Sequence, residues 1–205
     1  MFAEIKSKKT INWLSNTITR GIPPFASAFE IAEFYRDNHP GKTTDEVVHN
    51  LIMSESSKNF ATGFSTGIGG ILTIPFSIPI SLASSWAIQA RMTGAIAHLY
   101  GHDLNDERIM TLVLLSLLGD SVKEVLKNSG VKIVEKLTAS LLINLPASIF
   151  IKINQKLGFK LMEKAGKAGA RGLVKIVPLA GGFFSGTIDA FATRKIGRTA
   201  QKMFS

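Results

Sequence analysis

The chain of 205 residues contains no cysteine. This excludes disulfides, thiolate nucleophiles, iron–sulfur clusters and thiolate zinc sites, and it leaves the redox compartment unmarked. Aromatic residues make up 8% of the chain, and residues 121–205 hold neither Trp nor Tyr. With so little to stack on a base and no recognised binding motif, nucleic acid is not an expected partner. Acidic residues are scarce where basic ones concentrate. Residues 1–120 carry 9 Lys+Arg against 11 Asp+Glu, net −2, whereas residues 121–205 carry 15 against 4, net +11, giving the formal +9 of the whole. The lysines near the N-terminus are followed by no apolar stretch with a small-residue cleavage site, so a secretory signal is not expected and a cytoplasmic location is. Period-2 alternation bounded by hairpin turns is missing too, which leaves little room for strands.

Long charge-free runs are what the chain does have. Residues 59–90 form 32 consecutive positions without a charged side chain, interrupted by Gly63, Gly67, Gly69, Gly70, Pro75 and Pro79. About 20 apolar residues suffice to cross a bilayer, but proline lacks a donor and clashes with the preceding turn, so no straight helix runs through this stretch. Shorter charge-free runs occupy 137–151, broken by Pro146, and 176–188, broken by Pro178, Gly181 and Gly182.

The rest reads as helices. Ile5, Ile11, Leu14 and Ile18 recur at helical spacing until Gly21-Ile22-Pro23-Pro24, which predicts an amphipathic N-terminal helix and linker over 1–24 before a helical domain over 25–205. Further helices are predicted over 26–38, from Thr44 as N-cap, and over 81–100 with Gly101 as left-handed cap. Others follow from Asn105, over 122–136 with a break near Gly130, and from Ile149, with a closing helix through Asp189, Ile196 and Phe204. The expected fold class is all-α, a helical bundle with Gly/Pro-broken apolar hairpins.

Several separated blocks carry a resemblance. Residues 63–70 (GFSTGIGG) with Pro75 and Pro79, residues 88–92 (IQARM) and 96–101 (IAHLYG) come first. They are followed by 154–159 (NQKLGF), 177–182 (VPLAGG) and 189–197 (DAFATRKIG). In order and spacing they resemble the EcsC family across residues 26–204. That resemblance implies a helical bacterial protein, named for one encoded beside an ABC transporter, and hence a transporter-accessory role. It supplies no catalytic residue and no cofactor.

Candidate chemistry is thin. Gly63-Phe64-Ser65-Thr66-Gly67 fits the G-x-S-x-G nucleophile elbow, which needs a strand before the serine and a histidine late in the chain. The last histidine is His102, so a lipid hydrolase acting through Ser65 stands as the weakest reading. His98 and His102 with Asp103, Asp106 and Glu107 have the composition of a metal site, but the glycine cap turns the chain between the imidazoles; no metal is expected. Gly41-Lys42-Thr43 lacks the first glycine of a P-loop, and Gly67-Ile68-Gly69 lacks the third of a dinucleotide fingerprint.

Two sets of residues remain. Arg91 ends the longest charge-free run and Asp189 sits beside another, and isolated charges in such places are costly unless paired. The expected pairing is Arg91 with Asp189, or both with Gln89. Lys152, Lys156, Lys160 and Lys164 stand at i,i+4 steps beside Ile149, Ile153, Leu157 and Leu161, continued by Lys167, Arg171 and Lys175. The expected function is a non-enzymatic protein on the inner face of the cell membrane, its basic face meeting anionic lipid or a membrane protein. Its apolar hairpins, including Gly63, Phe64, Phe76 and Pro178, would be the sites of association. A helical interaction module with those hairpins buried is the alternative.

Overall fold

In the computed structural model, residues 2–23, 25–62, 80–132, 137–172 and 181–205 are described. Among them nine α-helices and no strand form an all-α bundle: α1 (Phe2–Arg20), α2 (Ala28–Asp37), α3 (Thr44–Thr62), α4 (Ile80–Leu99), α5 (Glu107–Ser116), α6 (Val122–Asn128), α7 (Ala139–Leu142), α8 (Ala147–Gly172) and α9 (Gly181–Phe204).

Local chemistry sets most of the ends. Ser27 and Glu30 form a reciprocal capping box that starts α2, Glu30 accepting the Ser27 N–H at 2.7 Å. Thr43, one residue before the predicted cap, does the same for α3: Glu46 accepts from the Thr43 N–H and hydroxyl, each at 2.8 Å. Asp106 rather than Asn105 starts α5, accepting the N–H groups of Arg108 and Ile109. Gly101 closes α4 at φ 84°, a conformation costly for any residue with a Cβ. Gly130, at φ 92°, ends the turn after α6. Pro146 does not interrupt a helix. It precedes α8, where its missing N–H costs nothing and its carbonyl accepts from Ile149 at 2.9 Å.

The bundle is built around α4. Its apolar moment is weak because it is buried on every side: Ala83, Trp86, Ile88, Met92, Ala95 and Ile96 are all 3% exposed or less. α1, α2, α3, α5 and α9 pack around it. α8 lies against α1, α5 and α6. Small residues allow the close approaches. A Cβ on Gly94 of α4 would sit 2.6 Å from Ile18 Cγ2 and 2.9 Å from Ala28 Cβ, and one on Gly197 of α9 would sit 2.7 Å from Ile52 Cγ1.

Contacts between helices fix their directions. Tyr100, just after α4, donates to Asp45 at the start of α3. Burial, then this bond, push its phenol up to about 12. Gln201 near the end of α9 reaches the same phenol oxygen at 3.5 Å, and Gln89, halfway along α4, donates to Thr193 of α9 at 3.1 Å. So α4 and α9 are parallel, and α3 is antiparallel to both. Ser116 meets Met203 while Asp120 pairs with Lys195, which makes α5 antiparallel to α9. Thr111 meets Asn154 while the Leu117 carbonyl meets Lys164, which makes α8 parallel to α5. The end of α3, the start of α4, the end of α8 and the start of α9 therefore share one pole of the bundle.

Candidate functional site

Both Gly/Pro-broken charge-free runs are anchored at that pole. Residues 63–79 join α3 to α4, and residues 173–180 join α8 to α9. The predicted association residues Gly63, Phe64, Gly67, Gly69, Gly70, Pro75, Phe76, Pro79 and Pro178 lie outside the described residues, as does Ser65. Gly181 and Gly182 open α9. The backbone leading to Ser65 is helical through Thr62, where a nucleophile elbow requires a strand.

Beneath the pole lies a polar layer inside the aliphatic core. Glu55 and Ser56 of α3, Ser85 and Gln89 of α4 and Thr193 of α9 are each 6% exposed or less. The Gln89 amide donates to Ser85 and Thr193, each at 3.1 Å, while the Thr193 hydroxyl donates to the Asp189 carbonyl at 2.7 Å. Gln89 thus joins α4 to the turn of α9 that carries Asp189.

Arg91 goes elsewhere. Its guanidinium donates to the Ala26 carbonyl at 2.8 Å and to the Ala87 carbonyl at 3.2 Å, and it stacks 4.6 Å from the centroid of Phe25. Burial pushes its pKa down from the ordinary value, and the charge of Glu55 opposes that shift. Arg91 is held by the connection between α1 and α2 and lies in the field of Glu55; a contact with Asp189 is not among its described bonds. Two residues along an α-helix rotate the side-chain direction by about 200°, so positions 89 and 91 point to nearly opposite sides of α4. Glu55, which the sequence reading did not single out, is 1% exposed and pairs with Lys58 at 2.7 Å.

The basic face of α8 is not uniform. Lys152 and Lys156 are exposed, between the exposed Ile151 and Phe159. Lys160 bridges Glu124 and Glu163, both at 3.2 Å, and Lys167 pairs with Glu163 at 2.5 Å. Lys164 turns inward, donating to the Leu117 and Leu118 carbonyls at 3.1 and 3.2 Å just past the end of α5, where a cation complements the helix dipole. Arg171 lies in the last turn of α8, and Lys175 lies outside the described residues.

Burial lowers the Lys164 pKa, and neighbouring Lys160 adds to the shift while Asp120 opposes it. The unfolded chain then holds this proton to higher pH than the folded one. Stability contributed by this site should rise as pH climbs from the lowered value toward the ordinary 10.5. Urea midpoints of the wild type and Lys164→Met, measured from neutral to alkaline pH, should differ by that slope; parallel profiles would contradict it.

A second cationic stripe emerges on α9. Phe191, Arg194, Lys195, Arg198 and Lys202 are all exposed on its outward face, and Phe191, at 69%, is the most exposed large apolar side chain among the described residues. Lys195 is paired with Asp120, whereas Arg194 and Arg198 join none of the ion pairs among the described residues. Their i, i+3, i+7 and i+11 spacing from Phe191 was legible in the sequence. The histidines diverge: His98 faces Glu33 at 3.5 Å and the edge of Phe29, and His102 meets the Phe204 carbonyl at 3.1 Å.

Compared with known proteins, residues 38–205 match the EcsC protein family, starting 12 residues later than the resemblance over 26–204. No curated protein and no solved structure matches the chain.

Proposed function

Starting from a chain that belongs to the EcsC protein family, we propose that it is a non-enzymatic helical protein that binds an anionic membrane surface. The cytoplasmic face of the cell membrane would be that surface, and a membrane protein such as a transporter would be met there. One observation carries this reading: the outward faces of α8 and α9 set exposed Ile151, Phe159 and Phe191 among Lys152, Lys156, Arg194 and Arg198. Each such cation gains about 1 kcal/mol near anionic lipid, and apolar side chains beside it partition into the headgroup boundary. No described helix is long and apolar enough to cross a membrane, so the attachment proposed is to the surface.

Co-sedimentation with vesicles tests it. The protein should pellet with phosphatidylcholine vesicles containing phosphatidylglycerol, and much less with phosphatidylcholine alone. Salt at about 1 M, where the Debye length shrinks to about 3 Å, should release most of it. Absence of binding to the anionic vesicles, or binding indifferent to both lipid charge and salt, would overturn the reading.

A further inference from the structure

We propose that α6 is the centre of the lipid-binding face, joining the α8 and α9 stripes into one surface, with Lys123 and Lys127 as headgroup contacts. This inference rests on the membrane reading above and names the residues that unite its two halves.

Two ion pairs between helices set the arrangement. Asp120, in the short 3-10 turn Gly119–Ser121 that leads into α6, pairs with Lys195 of α9. One turn further on, Glu124 of α6 pairs with Lys160 of α8 at 3.2 Å. The segment is thereby laced to α9 on one flank and to α8 on the other. Its direction against α8 follows from three contacts. The Leu117 and Leu118 carbonyls meet Lys164, Glu124 meets Lys160, and a Cβ on Gly130 would stand 3.6 Å from Ile149 Cδ1. Positions on α8 fall as those through α6 rise, so the two helices are antiparallel. Lys127, between Glu124 and Gly130, is therefore level with the part of α8 that carries Lys152 and Lys156.

Helix spacing places further cations on the laced side, because residues three or four apart share a helix face. Lys123 stands three beyond Asp120, Lys127 three beyond Glu124, Lys156 four before Lys160 and Arg198 three beyond Lys195. All four are exposed, and none joins an ion pair among the described residues. Asp120 and Glu124, the only acids in 119–132, are each taken up by a lysine from a neighbouring helix. What α6 presents outward is thus uncompensated positive charge. Beside it α8 carries the exposed Ile151 and Phe159, and α9 carries the exposed Phe191.

Anionic lipid is the occupant that fits. A lysine ammonium is a compact charge on a flexible stem, which meets a phosphate oxygen without demanding a fixed angle. Several on one face, with apolar side chains beside them, match a layer of phosphates over acyl chains rather than a single free phosphate.

Vesicle binding tests the role of α6. Lys123→Gln/Lys127→Gln should lose roughly 25-fold in affinity for phosphatidylcholine vesicles containing phosphatidylglycerol, a factor of about five for each cation. Lys123→Arg/Lys127→Arg should keep wild-type binding to within about twofold, as should Lys42→Gln in the connection between α2 and α3. Urea midpoints of all three should stay near the wild-type value, since these side chains are exposed and outside the ion pairs. The chain has no cysteine, so a single one can carry an environment-sensitive fluorophore. On Asn128→Cys, exposed in α6, it should brighten and shift to the blue with these vesicles, and on His49→Cys, exposed in α3, it should stay nearly unchanged. Wild-type protein that fails to pellet with the vesicles ends the membrane reading and the role of α6 with it. Wild-type protein that pellets while the double glutamine variant binds equally well, or while the label at 128 responds no more than that at 49, ends the role of α6 alone.

Discussion

Gly94→Val should destabilise the bundle by about 3 kcal/mol, the upper part of the range for overpacking a core. The position lies in α4 where α1 and α2 both press on it. A Cβ there would approach Ile18 Cγ2 at 2.6 Å and Ala28 Cβ at 2.9 Å, and the second atom is fixed to its backbone. Rotamer changes can move the isoleucine, but relieving Ala28 requires α2 to shift. Valine adds two further methyl groups and loses χ1 freedom in a helix. Gly166→Ala is the internal control. No atom lies within 4 Å of its added Cβ, so the change should stabilise by up to about 1 kcal/mol through helix propensity. Urea unfolding of both variants checks the contrast. Equal and small effects would mean that α2 is not seated against α4 as described.

That contrast marks how far the sequence could be read. Glycines closing helices were legible because a helical pattern stops at them, as at Gly101. Gly94 and Gly197 were not, because what they admit is a side chain distant in sequence, Ile18 or Ile52, and the match depends on how two helices are set against one another. The N-cap of α3 is Thr43 rather than Thr44, and α5 is capped by Asp106 just after Asn105; neighbours that both cap well leave such a start open by a residue in the sequence. Pro146 read as an interruption because the charge-free run passes through it, whereas the helix begins after it.

The candidate site was legible to the same degree. Spacing alone gave the α8 lysines one face, and it could not show that α5 ends beside Lys164 and draws that side chain inward. Phe191, Arg194 and Arg198 form an equally regular stripe, but it directly follows the charge-free residues 176–188, which dominate the hydropathy pattern of that region. Glu55 sits among Ser54, Ser56, Ser57 and Lys58, a composition that normally faces water. Its burial follows from the antiparallel setting of α3 on α4, which is a tertiary fact.

Arg91→Met should cost about 3–5 kcal/mol, the range for breaking a buried charge arrangement by removing one member. The methionine preserves much of the volume but not the donors. The Ala26 carbonyl loses a 2.8 Å hydrogen bond, Phe25 loses the cation stacked on it, and Glu55 loses a positive charge that offset its burial. Removing Glu55 as well should restore part of the loss, since the carboxylate no longer sits buried without the guanidinium's field. A double-mutant cycle of Arg91→Met and Glu55→Gln should therefore give a coupling of at least about 1 kcal/mol, and urea midpoints measure it. Strict additivity would confine Arg91 to its contacts with Phe25 and Ala26 and remove Glu55 from its support. A single-variant cost below about 1 kcal/mol would remove both, leaving the first charge after the longest charge-free run without a structural role in the core.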